Sequence, residues 1–157
     1  MKKIFIIVLI LLSRLSDAQA NDPEEGYAVI RSDTIYGQIK INFDAGTITV
    51  KQDSINRMFL SDIKLITLLN NERETYLPMI ENEKTSFYRL LVKGEYPLLK
   101  SSDEAFYTSI EDHIIAIEEE KDLYDLFGKK EVKNYIFIRN IDLTNEIGLQ
   151  DVFRNFN

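Results

Sequence analysis

The chain has 157 residues, 45% of them hydrophobic, and sets 19 Lys and Arg against 26 Asp and Glu for a formal net charge of −7. So acidic a surface repels nucleic acid and anionic headgroups, which both require clustered Lys and Arg, and no basic run is longer than Lys129-Lys130. Cysteine is absent, which removes disulfides, lipid attachment at a cysteine and thiol catalysis together.

The opening MKKIFIIVLILLSRLSDAQA has the order of a secretory signal peptide: Lys2 and Lys3, the apolar run Ile4 to Leu12, then Ala18-Gln19-Ala20. Residues 1–20 are expected to be the signal peptide, with cleavage between Ala20 and Asn21. The apolar run is shorter than the roughly 20 residues of a spanning helix, so no stable membrane span is expected after cleavage. The expected address is exported, periplasmic or extracellular, and soluble. Losing Lys2, Lys3 and Arg14 against Asp17 makes the remaining chain more acidic still.

Residues 21–26 (NDPEEG) read as a flexible leader. Residues 27–157 read as a single α+β domain, with an antiparallel β-meander over 27–119 and a helical segment over 121–157. Tyr27 to Ile41 reads as a hairpin turning at Ser32-Asp33. Ile35, Gly37, Ile39 and Ile41 fall on its apolar face, and Gly37 marks a bulge or a close backbone approach. After the turn residues Asn42 to Gly46 come strands at Thr47 to Lys51 and Ile55 to Leu60. Lys64 to Leu69 and Glu74 to Met79 flank a turn at Asn70-Asn71, and Pro78 favours an edge position for its strand. The charged Glu81 to Lys84 leads into two more hairpins, 87–101 turning near Gly94-Glu95 and 105–119 turning near Glu111-Asp112. Short polar turns between consecutive strands predict antiparallel neighbours, giving seven to nine strands in a curved sheet or partial barrel.

Beyond Glu120 the period changes. Leu123, Leu126 and Phe127 predict a helical turn ended by Gly128. Glu131 to Asn140 fits either class, because Val132, Tyr135, Ile136 and Arg139 make a helical face while Tyr135 to Arg139 also suits a strand. Leu149, Val152, Phe153 and Phe156 predict a terminal amphipathic helix with Thr144 or Asn145 as N-cap, packed on the sheet. Two or three short C-terminal helices are expected in all.

The chain resembles a group of small, uncharacterised, exported β-rich proteins of the Bacteroidota. The resemblance is carried by the MKK-type signal ending in Ala18-Gln19-Ala20, by Gly26-Tyr27 followed by Ser32-Asp33-Thr34-Ile35, Gly37 and Ile39, by Leu90 to Gly94, and by Phe156-Asn157. It implies export and a β-then-α layout and brings no catalytic residues.

Chemistry is sparse. His113 is the single histidine, beside a turn, and no serine lies in a Gly-x-Ser-x-Gly elbow. One histidine and no cysteine exclude the usual zinc sets, and no calcium-binding loop pattern occurs. The glycines at 26, 37, 46, 94, 128 and 148 are too scattered to cradle phosphate. No catalytic residue, metal ligand or cofactor is assigned. Tyr36, Tyr88, Tyr96 and Tyr107 recur in the hairpins and would form a contact surface for an envelope protein or a glycan, unless they pack beneath the helices instead. The expected function is a non-catalytic binding or interaction module. Its rivals are a small carboxylate-based hydrolase or an enzyme inhibitor, which need two acids of raised pKa in a cleft, and a purely structural envelope role.

Overall fold

The computed structural model describes residues 22–81, 83–111 and 113–157. The expected signal peptide, with Asn21, Asn82 and Asp112, lies outside the described residues. Among the described residues ten antiparallel strands are followed by three helices, an α+β layout. The sequence periods undercount the strands slightly, at seven to nine. The chain divides into two compact units. One holds the residues up to Arg73 with Glu81–Ser86, the other Glu74–Ile80 with Phe87–Asn157.

In the first unit, β1 (Glu24–Ile30) and β2 (Asp33–Asn42) form the first hairpin, with Ala28 opposite Ile35. The strand starts inside the expected leader, because the ten-residue β2 offers partners back to Glu24, opposite Ile39. Only Asp22 and Pro23 of the described leader remain unpaired in strand, and proline lacks the donor to extend it. Gly37 makes no bulge. It stands opposite Gly26, and a Cβ there would lie 2.4 Å from the Lys51 carbonyl oxygen, so the neighbouring strand approaches closely. The next turn is closed by Asn42, whose Oδ1 accepts from the Ala45 N–H at 2.9 Å. Then come β3 (Thr47–Gln52), β4 (Ile55–Phe59) and β5 (Ile63–Leu68).

Here the order departs from a simple meander, because β5 pairs with β1 rather than with β4. Residues 60–62 alone join β4 to β5, and such a link reaches at most about 14 Å from Phe59 to Ile63. In a flat sheet β4 and β5 would stand four strand spacings apart, about 19 Å. These five strands must therefore curl. The expected curvature has its cause in that short link. It is held by the Arg31 N–H donating to the Asp62 carbonyl at 2.8 Å and by an Arg31–Asp62 ion pair at 2.9 Å. Buried Ala28, Ile39, Ile41, Ile48, Val50, Ile66 and Leu68 come from alternate positions of these strands.

The second unit is built on β6 (Thr75–Glu81), β7 (Lys84–Val92), β8 (Leu98–Lys100), β9 (Phe106–Ile110) and β10 (His113–Ala116). Pro78 falls within β6. Three helices follow: α1 (Glu120–Phe127), α2 (Lys129–Arg139) and α3 (Glu146–Phe156). Glu119 and Asp122 form a capping box at the start of α1, and Gly128 (φ 93°) ends it. The ambiguous Tyr135 to Arg139 is helix, ended by Asn140 in the left-handed conformation (φ 51°). Asn145 caps α3, its Oδ1 accepting from the Gly148 N–H at 2.9 Å.

The terminal stripe packs as its spacing predicts. Leu149, Val152 and Phe153 are buried with Val92, Leu98, Ile117, Leu123 and Val132, and Phe156 packs partly buried against them. Each fully buried aliphatic or aromatic side chain contributes about 1.5–3 kcal/mol. Phe127 is the hinge of the aromatic part, edge-on to Phe153 at 5.2 Å and stacked with Phe156 at 5.5 Å. No helix among the described residues is long and apolar enough to cross a membrane.

Candidate functional site

β4 ends the strand order, so one side of its backbone has no ladder partner among the described residues. Its hairpin with β3 has the two-residue loop Asp53-Ser54, with Asp53 at φ 52° as primed hairpin turns require. In such a loop the flanking pair, Gln52 and Ile55, is hydrogen-bonded, and the alternation runs on from there. Arg57 opposite Val50 and Phe59 opposite Ile48 therefore turn their N–H groups toward β3. Asn56 opposite Lys51 and Met58 opposite Thr49 turn theirs outward.

The side chains match that openness. Ile55 is 57% exposed and Met58 67%, and Leu60, just beyond the strand, 66%. Arg57 between them forms no ion pair among the described residues, and Ile55 to Leu60 contains no acid. An edge strand normally carries devices that deter pairing, such as several charges, a proline or a bulge. β4 has a single cation. Beside it lies a hollow of about 470 Å³ lined by Ile35, Met58, Leu60, Arg31 and Asp62.

The four tyrosines are divided between the two units. Tyr36 is exposed and tilts against Tyr27 at 5.6 Å in the first unit. Tyr88 is buried in the second, edge-on to half-buried Tyr107 at 5.2 Å, and offers no contact area. Tyr96 packs edge-on against Phe127 at 5.6 Å beside the helices. Alternation along a strand assigns a face but not what covers it, and here helix and neighbouring strand cover most of the set.

Charged groups gather elsewhere in the second unit. Arg89 Nη1 meets Glu74 at 2.8 Å and Arg89 Nη2 meets Glu146 at 3.0 Å, while Lys100 Nζ meets Glu146 at 3.0 Å and also pairs with Glu104. Arg89 and Lys100 face each other across β7 and β8, and Glu146 at the start of α3 bridges the two cations. The Glu104 hydrogen bond raises the Lys100 pKa, with burial opposing it and Glu146 adding to it. For Arg89 burial is the largest influence and acts downward, but Glu74 and Glu146 together outweigh it and the net shift is upward. The network fastens α3 to the sheet.

Two of the acids serve local hydrogen-bonding roles. Backbone N–H groups of Glu119 and Glu118 hold Asp122 below the usual carboxylate range, and Thr144 does the same for Asp142 through its side chain and backbone. Both shifts run opposite to that of a general acid. Within the run Glu118 to Glu120, Glu119 serves as a helix cap. His113 is exposed at the start of β10. No group of three or more His, Cys, Asp or Glu among the described residues could hold a metal ion. Among known proteins, no family model, no curated sequence and no solved structure matches this chain.

Proposed function

We propose that this protein is an exported, non-catalytic interaction module that binds an envelope protein by taking an extended strand of it onto β4. The observation that carries the reading is the open edge of β4, with outward N–H groups at Asn56 and Met58 and exposed apolar side chains at Ile55, Met58 and Leu60. In strand addition the backbone ladder supplies affinity and alternate side chains supply selectivity. Arg57, exposed and without an ion pair among the described residues, favours an incoming strand with a carboxylate opposite it. The export signal expected from residues 1–20 supports an encounter in the envelope.

The test is photo-crosslinking from position 57 in native envelope extract, comparing the chain with Met58→Pro and Met58→Thr. Proline removes an outward donor without touching the β3 ladder, whereas threonine keeps the N–H and suits a strand. The expected result is an adduct that Met58→Pro abolishes and Met58→Thr retains. An adduct insensitive to Met58→Pro, or no adduct at low salt, refutes the reading.

A further inference from the structure

The helical unit leaves a second surface bare. α2 turns Val132, Tyr135 and Ile136 toward the core, and its remaining large apolar residues toward solvent. Phe137 is 87% exposed and Ile138 79%. Ile147, at the second position of α3 across a short connection, is 80% exposed. Three bare side chains of this size are an unusual load for two helices that have already covered one core.

On α2 basic side chains outnumber acidic ones, although Glu131 lies on the Ile138 strip and Glu146 stands next to Ile147. In a chain of net charge −7, α2 carries Lys129, Lys130, Lys133 and Arg139 against the single acid Glu131. Helical spacing sets Lys133 four residues and Lys130 seven residues before Phe137, on one strip, with Asn134 four residues before Ile138. Lys133 also lies 5.8 Å from the centre of the Tyr124 ring, as Lys129 does at 6.0 Å. Lys130 forms no ion pair among the described residues. The net negative charge is a sum over the whole chain, and this helix reverses its sign locally.

We propose that the outward face of α2, with Ile147 of α3, docks on an anionic lipid surface. Phe137, Ile138 and Ile147 would enter the headgroup–acyl boundary while Lys130 and Lys133 meet the phosphates. Exposed aromatic and branched side chains next to lysines on one helix are what interfacial binding needs, since buried apolar area and attraction to anionic lipid add. Nucleic acid has no use for the bare Phe137 and Ile138, whereas lysines beside exposed apolar side chains match both the phosphates and the acyl boundary of an anionic lipid surface. This inference does not depend on the β4 reading.

The sequence contains no tryptophan, so Phe137→Trp in the full chain installs a single indole at the proposed contact. Its emission is recorded with phosphatidylglycerol vesicles, with phosphatidylcholine vesicles, and with brominated lipid as quencher. The expected result is a blue shift and quenching on anionic vesicles alone, with apparent affinity falling about tenfold or more in a Lys130→Glu/Lys133→Glu background. An indole that stays water-exposed on anionic vesicles overturns the proposal, even where the chain sediments with them through another segment. Sedimentation velocity is the second arm: dimers of the unmodified chain that dissociate in Phe137→Ser would make this face a protein interface and also overturn it.

Discussion

Replacing Glu146 with Gln removes the one anion that two cations share. Arg89 and Lys100 are direct cross-strand partners, with side chains 24% and 12% exposed, and Glu146 lies 3.0 Å from each. A hydrogen bond to a charged group contributes about 1.5–3 kcal/mol, and glutamine keeps part of that geometry without the charge. Glu74 and Glu104 remain to Arg89 and Lys100, which limits the loss, whereas the two facing cations now repel. The helix start also loses an anion worth about 0.3–1 kcal/mol. The expected destabilisation is about 2 kcal/mol. Urea unfolding followed by the helical far-UV signal measures it, because all three helices belong to the same unit. The loss should persist in high salt, since partly buried pairs are weakly screened, and a double-mutant cycle with Lys100→Met should show coupling. A change below about 0.5 kcal/mol, the scatter of ordinary surface substitutions, or one abolished by salt, would refute the view that Glu146 fastens α3.

Phe153→Ala empties a fully buried site beside Phe127 and should cost about 3–5 kcal/mol in the same assay. Thr108 is buried with no partner for its hydroxyl among the described residues, so Thr108→Val should stabilise by about 1 kcal/mol, read as a higher urea midpoint. Asp122 has a depressed folded pKa, so its contribution is present above the unfolded carboxylate value of 3.8 and fades as pH falls through the lower folded value. The stability gap between the chain and Asp122→Asn, measured by urea titration in buffers of decreasing pH, should therefore close in acid; a constant gap would count against this origin.

Features whose causes are close in sequence were legible without coordinates. Alternation in Thr34 to Ile41 assigned the buried face, the i, i+3, i+4, i+7 stripe placed α3, and Asn145 and Gly128 marked helix ends. Tyr135 to Arg139 stayed open because four apolar or aromatic residues followed by arginine satisfy both periods, and the core contacts of Val132 and Ile136 decide for helix.

The candidate surfaces were less legible, and for a physical reason. Tyrosine recurrence was visible, yet the burial of Tyr88 depends on the ring of Tyr107 nineteen positions away. Nothing local to Ile55 to Leu60 marks it as an edge; that follows from β5 pairing with β1 and leaving β4 outside. Likewise Phe137 and Ile138 are ordinary core residues by type, and only the packing of α2 turns them to solvent beside Lys130 and Lys133. The sequence by itself determined the α+β class, the strand faces and the capped terminal helix, because these obey rules acting over a few residues. Tertiary structure alone decided which edge stays open, which tyrosines are covered and where charge gathers, because these depend on pairings between residues far apart in the chain.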